Sequence, residues 1–346
     1  MFPDLETVAP FVPDDRFIAE VRRRVAARRR RIRVASTSLV VALVVLVGGS
    51  WWYVDHRLSS IQRIDLGTES TSDPVSGGRA FNVLIAGVDP NGMPDAVAVA
   101  RFVPTDARVE VLQLPRDLIL GPDRKVSSSS LGQLRADVTS ALGIPVDHVV
   151  SLSMDGFVRI ADRVGFRLDV SMPVRDGSAG LSLPAGCHTL RGSELLALIR
   201  SRHLEVGQPD GRWLADPTAD LGRMARRDQL LAPLLEQLRA ADVSSLHLID
   251  DLVDELQRSG TVDSALTNGD LLRIGRLVSG SSSVRSVDLP VVEATGPDGA
   301  IGVQLGGDPE AVTSALAGVG GHLAGQTFSA GQLGAPLAPS VSFSSC

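Results

Sequence analysis

The chain has 346 residues, of which 44% are hydrophobic, so it is long enough to bury one full core in addition to an anchor. The formal net charge of −6 is unevenly distributed, because the first 35 residues carry nine Arg against five Asp and Glu, a net of +4. The remainder therefore carries −10. An acidic main domain argues against a nucleic-acid partner, which needs a basic surface.

The N-terminal region has the charge pattern of a membrane anchor. An arginine-rich run at 22–33 ends the predicted cytoplasmic tail, residues 1–33. The uncharged stretch 34–54 is long enough for a transmembrane helix, and Trp51, Trp52 and Tyr53 lie at its far end. We therefore expect a single-pass protein of the cell membrane, with the N-terminus in the cytoplasm and the main domain outside it.

A cleaved signal peptide is the alternative interpretation of this region. The basic run is unusually long for one, and no small-x-small cleavage site precedes Trp51. These two features favour a retained anchor.

The rest of the chain predicts a linker, one large domain and a loose tail. Residues 55–79 are rich in Ser, Thr, Asp and Gly and read as a linker, 80–328 as the main domain and 329–346 as a flexible C-terminal tail. Because strand and helix patterns alternate, the domain should have a layered α/β fold. The predicted strands are 81–86, 96–103, 108–114, 148–152, 166–174, 284–289 and 301–305, and the predicted helices are 131–142, 155–164, 190–199, 246–256 and 270–278.

Charged side chains follow or begin the first predicted strands. Asp89, Asp95, Arg116 and Asp117 all lie near strand ends, which deliver side chains into one crevice. Asp89 and Asp95 flank a short turn and could hold a magnesium ion through one or two oxygens. The alternative is that these aspartates only form and cap a turn.

Arginines concentrate in the stretch 195–231. Arg200 and Arg202 end an apolar helical pattern, and Arg223, Arg226 and Arg227 begin another. Guanidinium groups beside an apolar wall suit a ligand with a phosphate head and an apolar body. The alternative is a solvated helix face, since a chain with one lysine in 34 basic residues uses arginine wherever a positive charge is needed.

Cysteine, histidine and tryptophan residues are three further kinds of candidate. Cys187 and Cys346 could form a disulfide in an oxidising compartment, which the chain-entropy model values at about 4–5 kcal/mol for so long a loop. His203 could orient a phosphate or only satisfy local backbone, and Trp213 could be a lid or a surface anchor. The sequence has no P-loop, no HExxH, no CxxC and no GxSxG motif.

Six motifs together resemble the LytR-CpsA-Psr family of cell-wall glycopolymer ligases, over roughly residues 78–290. The arginine-rich composition is similar to that of actinobacterial members. The resemblance implies a layered α-β-α domain around a mainly mixed central sheet. In chain order, the motifs are GVD (87–89), PDA (94–96), LPRD (114–117), GIPVDHVVSLSMDGF (143–157), LRGSELLALIRSRH (190–203) and DLGRMARR (220–227).

The resemblance also implies an activity and residue roles. Members transfer a glycan from a polyprenyl-pyrophosphate carrier to peptidoglycan or another acceptor, with magnesium at the pyrophosphate. Asp89 and Asp95 would be the metal ligands, and Asp220 would act as base or orient the acceptor, in a catalytic set with Arg116, Arg200 and Arg202. The residues implied to bind pyrophosphate are Arg116, Lys125, Arg200, Arg202, Arg223 and Arg227.

The chain departs from the family pattern at three places. The family usually has Arg-Ser-Asp-Thr where residues 93–96 read Met-Pro-Asp-Ala, so one phosphate arginine is missing. A usual glutamine pair is Arg227-Asp228, and the segment led by Lys125 lacks its usual asparagine. We hypothesise that Arg227 supplies the charge missing at Met93.

The residues and the resemblance leave three functions open. The first is a phosphotransferase that attaches a polyprenyl-pyrophosphate-linked glycopolymer to a wall acceptor. The second is a non-catalytic paralogue that binds carrier lipid or glycan, which the departures favour. The third is hydrolysis of polyprenyl pyrophosphate at the same site, with water as acceptor.

Overall fold

The chain divides into two units, Met1–Arg57 and Leu58–Cys346. The predicted transmembrane segment 34–54, Asp220 and Asp228 lie outside the described residues. Within the described part, no helix is both long and apolar enough to cross a membrane. The computed structural model describes residues 55–66, 78–121, 124–216, 222–223, 226–227, 229–230, 233–234, 236–237, 246–281, 283–287, 289–296, 299, 301–317 and 341–346.

A seven-stranded mixed sheet forms the centre of the second unit. The spatial order is β1 (Gln62–Ile64), β14 (Gly260–Asp263), β7 (His148–Ser153), β2 (Phe81–Val88), β3 (Pro94–Val103), β4 (Arg108–Leu114) and β15 (Ser283–Val287). Strands β2 and β7 pair in parallel, as do β1 with β14 and β4 with β15, and the other pairs are antiparallel. The mixed α/β fold with a central mixed sheet is therefore confirmed.

Helices cover both faces of this sheet, because the strands are apolar on both faces. On one face Leu84, Val99 and Leu112 join a core with helices α1 (Leu131–Leu142) and α6 (Pro309–Leu316). On the other face Phe81 and Phe102 stack at 5.0 Å beneath α5 (Asn268–Gly280). Helices α2 (Met154–Val164) and α4 (Leu246–Ser259) pack against each other and against β7.

A second hydrophobic cluster supports α3 (Gly192–Arg200). Helix α3 begins at Gly192 and packs closely on α2, since a Cβ there would overlap the carbonyl oxygen of Val158. Two small sheets surround this cluster. They are β10 (Leu181–Leu183), β9 (Val174–Asp176), β12 (Glu205–Gly207) and β13 (Trp213–Ala215) in one, and β11 (Gly186–Thr189), β8 (Arg167–Val170) and β18 (Phe343–Ser345) in the other.

Capping residues determine where helices α1 and α2 begin and end. Ser130 and Ser153 accept hydrogen bonds from backbone N–H groups at the starts of α1 and α2, and Gly143 and Gly165 adopt the left-handed conformation at their ends.

The remaining strands form two hairpins beside the main sheet. These are β5 (Ile119–Leu120) with β6 (Arg124–Lys125) and β16 (Val291–Thr295) with β17 (Ile301–Leu305).

Three predicted boundaries differ from the structure. The predicted linker is wrong at 58–66, because Leu58 and Ile61 are buried and β1 joins the central sheet. The predicted loose tail is wrong for its last six residues, where β18 pairs with β8. The predicted strand 166–174 is two strands, since Pro173, which has no N–H to donate, precedes β9.

Candidate functional site

Three elements bring a carboxylate and two guanidinium groups together at one end of the central sheet. Asp95 lies at the start of β3, Arg116 follows β4 and Arg200 ends α3. The antiparallel register places Val97 opposite Leu114, which brings the start of β3 beside the end of β4. Arg116 Nη1 lies 2.6 Å from Asp95 Oδ1, and Arg200 Nη2 lies 3.1 Å from Asp95 Oδ2. We call these three residues the Asp95 cluster.

Burial differs within the Asp95 cluster. The side chain of Asp95 is 7% exposed, whereas those of Arg116 and Arg200 are 32% and 47% exposed. The carboxylate is thus held in the protein while both guanidinium groups reach solvent. Because each guanidinium has five N–H donors, an incoming phosphate can bind both arginines from the solvent side.

Asp89 forms a turn at the same end of the sheet. Its Oδ1 accepts the backbone N–H groups of Asn91 at 2.9 Å and Met93 at 2.8 Å. The hydrogen bond from Met93 is the strongest influence on its pKa, which lies below the ordinary value despite opposing burial, with further help from Asn91 and Arg116. Asp89 is therefore ionised at neutral pH, and the turn-forming role weighed from the sequence is present.

Asp89 and Asp95 carry the kind of oxygen ligand that magnesium prefers, but both oxygens of Asp95 contact arginines. Magnesium is usually held by one or two carboxylates, with water and substrate phosphate completing its shell. Asp89 keeps Oδ2, whose hydrogen bond to Asn91 is long at 3.4 Å, and Asp95 lies just beyond Pro94, which pairs with Val88 at the end of β2. Within the described residues no group of three or more His, Cys, Asp or Glu could hold a metal, so phosphate oxygens would have to complete the shell.

A second carboxylate, Asp176, fixes the loop 201–204, which follows Arg200 and carries Arg202 and which we call the arginine loop. Asp176 is 1% exposed at the end of β9 and accepts five hydrogen bonds. Oδ1 accepts from Ser178 and Ala179, and Oδ2 accepts from the hydroxyl of Ser201 at 2.6 Å and the backbone N–H of His203 at 3.2 Å. We call these five residues the Asp176 cluster. Ser201 and His203 alternate with Arg200 and Arg202, so the cluster sets the backbone between the two arginines.

Hydrogen bonding determines the charge state of Asp176. Burial is the largest influence and raises its pKa, but donors from Ser178, Ser201, His203 and Ala179 together hold the pKa well below its ordinary value. The side chain is therefore a carboxylate at neutral pH. Nothing in the sequence around Asp176 marked it, because its donors come from residues that only the fold brings together.

Arg226 is a structural arginine that was not among the predicted ligands. It is 4% exposed, donates to Asp216 Oδ2 at 2.9 Å and donates to the carbonyl oxygen of Ser201. Arg223 is also buried, at 3% exposure, whereas Arg227 is partly exposed. All described residues between 222 and 237 are helical. The contact between Arg226 and Ser201 brings this segment against the arginine loop.

The other candidates take different positions. Arg202 and His203 are exposed on the arginine loop, and Lys125 is partly exposed at the end of β6. The segment after Lys125 lies beside the Asp95 cluster, because the backbone N–H of Ser127 donates to the carbonyl oxygen of Arg116 at 2.8 Å. Trp213 is neither buried nor isolated, since Arg175 lies 4.2 Å over its ring.

The central sheet leaves an aliphatic side chain exposed near this site. Ile85, in the middle of β2, is 42% exposed. Its neighbours in register are Ala98 on β3 and Val150 on β7, both partly exposed. A large apolar residue exposed in an internal strand indicates an uncovered apolar surface on the sheet.

The two cysteines form a disulfide that joins β11 to the last residue of the chain. Close to it, Ser345 donates to Glu236 at 2.9 Å, and the backbone N–H of Arg167 donates to Gln237 at 2.6 Å. The disulfide therefore secures a strand that contacts the helical segment carrying Arg223 and Arg227.

Fold and site together define a mixed α/β protein with a carboxylate and guanidinium cluster at the end of its central sheet. The chain belongs to the LytR_cpsA_psr family, whose model matches residues 57–308. The solved structure of a LytR-Csp2A-Psr enzyme from Actinomyces oris is similar, with a TM-score of 0.60, 29% identity, and coverage of 75% of this chain and 95% of that one.

Two curated relatives carry functional names. The polyisoprenyl-teichoic acid-peptidoglycan teichoic acid transferase TagU from Halalkalibacterium halodurans is 28% identical over 207 residues, which is 56% of this chain and 64% of that protein. The cell wall biosynthesis protein LcpA from Corynebacterium glutamicum is 27% identical over 165 residues, 47% of this chain and 30% of that protein. The chain thus matches less than two thirds of the length of either relative.

Proposed function

We propose that the protein is a membrane-anchored phosphotransferase that moves a glycopolymer from a polyprenyl-pyrophosphate carrier to a peptidoglycan acceptor. The observation that carries the proposal is the Asp95 cluster, in which one buried carboxylate aligns two partly exposed guanidinium groups from separate elements. The functional names of TagU and LcpA support it.

The chemistry would be displacement at the phosphorus atom next to the glycan. An acceptor hydroxyl oxygen forms a bond to this phosphorus, the bond to the bridging pyrophosphate oxygen breaks, and polyprenyl phosphate leaves. Arg116 and Arg200 would bind the phosphate oxygens and stabilise the charge that develops on the leaving phosphate. By the family resemblance, Asp220 would take the hydroxyl proton, and Arg202, Arg223, Arg227 and Lys125 would add positive charge.

Asp89 and Asp95 would hold magnesium in this site. The ion supplies neutralisation of phosphate charge when bound. Asp95 would have to release part of its contact with an arginine to accept the ion, and the freed guanidinium would be available to phosphate. The positive charges of the ion and the arginines would therefore be shared between the two carboxylates and the phosphate.

The apolar surface around Ile85 suits the carrier lipid. Ile85, Ala98 and Val150 offer aliphatic contacts on the face of β2 that also carries Gly87, two residues from Asp89. A lipid on this face could present its pyrophosphate to the end of the sheet. Burial of each methylene would stabilise the complex by about 0.8 kcal/mol.

The location and type of protein are also part of the proposal. The arginine run at 22–33 and the uncharged stretch 34–54 support a single membrane span with the domain outside the cytoplasm. The disulfide supports an oxidising compartment. The similarity to LcpA from Corynebacterium glutamicum supports an actinobacterial type.

A non-catalytic carrier-binding protein is the second candidate. Met93 stands where the family usually has a phosphate arginine, which favours it. Met93 donates its backbone N–H to Asp89 and so still shapes the turn. Binding could thus persist with weakened catalysis.

The test uses the full chain in detergent with geranyl pyrophosphate and its glycosylated form, with magnesium or with EDTA. Transfer of glycan phosphate to soluble peptidoglycan that requires magnesium is the expected result. Binding without turnover would favour the non-catalytic protein, and release of phosphate to water without transfer would favour the hydrolase. Absence of both binding and transfer would contradict the proposal.

A further inference from the structure

Arg116 is carried by a short turn between β4 and β5. The backbone N–H of Leu118 donates to the carbonyl oxygen of Pro115 at 3.1 Å and closes a four-residue turn, residues 115–118, which we call the Arg116 turn. Leu118 is fully buried in the core that includes α1. The turn is therefore tied to the core at its end, while the Arg116 side chain reaches Asp95.

Two other segments form hydrogen bonds with the backbone of the Arg116 turn. The N–H of Ser127 donates to the carbonyl oxygen of Arg116 at 2.8 Å, and the N–H of Val303, in β17, donates to the carbonyl oxygen of Asp117 at 3.1 Å. Leu118 and Val303 also form a parallel bridge. The peptide groups on the C-terminal side of Arg116 are thus fixed, and they orient the backbone from which its side chain projects.

The close approach of β17 to the turn depends on Gly302. A Cβ atom at position 302 would lie 2.9 Å from the carbonyl oxygen of Asp117 and 3.2 Å from Cδ1 of Ile119. Real Cβ atoms essentially never lie within 3.0 Å of such an atom. Gly302 does not have a positive φ, so this position requires space and not a left-handed backbone.

The hairpin formed by β16 and β17 is attached to the same core as the turn. Val291 of β16 is buried in the core that contains Leu118, and Val303 and Leu305 of β17 pack against that core. The hairpin follows the last of the six sequence motifs, and the resemblance assigns no role to it. It nevertheless supports the backbone beside one of the arginines of the Asp95 cluster.

We infer that the hairpin β16–β17 is a positioning element for Arg116, and that Gly302 is the residue that allows β17 to reach the Arg116 turn. The inference rests on the proposed function, in which Arg116 binds a phosphate. Gly302 acts through the backbone that carries Arg116. A displacement of about 1 Å in a group that contacts a reacting substrate can lower the rate about 100-fold, so the support of this backbone matters for activity.

The experiment is a double-mutant cycle in the full chain in detergent, with geranyl pyrophosphate as the probe. Gly302→Ala introduces the Cβ atom and is made both in the native chain and together with Arg116→Gln. The matched control is Gly307→Ala, whose Cβ would have its nearest neighbour, Cγ of Pro290, at an ordinary 3.6 Å. Gly307 also lacks a positive φ. Both glycine substitutions restrict the unfolded chain equally, so the comparison isolates the contact in the folded protein.

Calorimetry measures the affinities at a temperature where melting curves show that the variants are folded. We expect Gly302→Ala to lower the affinity of the otherwise native chain roughly tenfold, as for a misaligned hydrogen bond between charged groups. In the Arg116→Gln background, the same substitution should change the affinity by less than about twofold, because the side chain that it displaces is gone. Gly307→Ala should leave the affinity unchanged in both backgrounds.

Val303→Pro weakens the same support in a second way. It removes the N–H that donates to the carbonyl oxygen of Asp117 and adds no atom at position 302. We expect its effect on affinity to depend on Arg116 in the same manner. It takes the place of Gly302→Ala in the cycle if that variant does not fold. If neither variant folds while Gly307→Ala does, the hairpin is a requirement for folding and the inference is overturned.

The cycle separates a positioning role from a merely structural one. An equal loss of affinity with and without Arg116 overturns the inference, and so does native affinity in folded Gly302→Ala. In both cases the proposed function still stands if the native chain binds geranyl pyrophosphate and Arg116→Gln binds it more weakly. Failure of the native chain to bind geranyl pyrophosphate contradicts the proposed function, and this inference with it.

Discussion

Asp95 and Asp176 are both nearly buried carboxylates that contact the end of α3, but their partners are of different kinds. Asp95 contacts two guanidinium groups that remain partly exposed. Asp176 accepts only neutral N–H and O–H donors from its own surroundings. A ligand can take over the partners of Asp95, whereas no ligand can replace those of Asp176 without unfolding the loop. Under the proposed function, two carboxylates of similar burial would therefore serve substrate binding in one case and backbone positioning in the other.

Removing a guanidinium from the Asp95 cluster should affect activity and leave stability nearly unchanged. For Arg116→Gln we expect transfer to fall by about 100–1,000-fold, since one donor to developing charge is lost. Asp95 keeps Arg200, so the melting temperature should change little. Steady-state transfer rates and calorimetry measure the two effects.

Arg212→Gln is the matched control, because Arg212 is 76% exposed and pairs only with nearby Asp210 among the described contacts. Arg212→Gln should change neither the transfer rate nor the melting temperature. A large loss of stability in Arg116→Gln would contradict the assignment of Arg116 to ligand binding.

The opposite pattern is expected for Asp176→Asn. The amide NH2 group of asparagine would replace one carboxylate oxygen and cannot accept the hydrogen bonds that this oxygen receives. One or more buried N–H or O–H groups would therefore lose their acceptor. We expect the free energy of unfolding to fall by about 1–3 kcal/mol for each donor left unpaired. Chemical denaturation of the full chain measures this.

Activity of Asp176→Asn should recover toward the native value at temperatures where the variant remains folded. A complete loss of transfer in a variant that is as stable as the native protein would instead place Asp176 in direct contact with substrate.

The stabilising effect of Asp176 should also depend on pH. Because the pKa of Asp176 is lowered in the folded protein, its stabilising effect is complete above the unfolded pKa of about 3.9 and is lost as pH falls through the folded pKa. The stability difference between the native protein and Asp176→Asn should therefore be constant from pH 7 to 5 and should narrow below pH 4. A difference that widens on acidification would contradict this.

The smallest effect is expected for Ser201→Ala. It removes one hydrogen bond of 2.6 Å to Asp176 and leaves the one from His203. We expect a loss of about 1 kcal/mol in the free energy of unfolding. Ser182→Ala, at an exposed position of β10, is the control and should have no measurable effect. Equal effects in both variants would show that Asp176 does not depend on the Ser201 hydroxyl.

The sequence predicted the long elements of the fold well and the short ones poorly. Strands β2, β3 and β4 and helix α1 are continuous periodic patterns with clear turn or capping residues at their ends, and all four are confirmed. Strand β1 was missed because three residues within a Ser- and Asp-rich stretch carry too little periodicity. Strand β18 was missed because its pairing with β8 depends on a long-range contact.

The candidate site shows the same limit. The meeting of Asp95 with Arg116 was foreseeable from the sequence, because both residues lie at strand ends. The contact of Arg200 with Asp95 was not predicted, since the helix pattern shows only that Arg200 ends a helix. The division between buried Arg226 and exposed Arg202 was not foreseeable, because both lie in similar arginine-rich segments. Tertiary contacts with Asp216 and Ser201 decide it.

The pairing of β1 with β14 makes the folding of the central sheet depend on segments that are far apart in the sequence. Gln62 meets Thr261, and the disulfide closes a separation of 159 residues up to the final residue, Cys346. Contacts of such long range make folding slow, since distant segments must meet before the sheet is complete. The seven-stranded sheet therefore cannot be completed before β15, which ends at Val287, has been synthesised, and a nascent chain stopped before Gly260 would lack the strand that joins β1 to the rest.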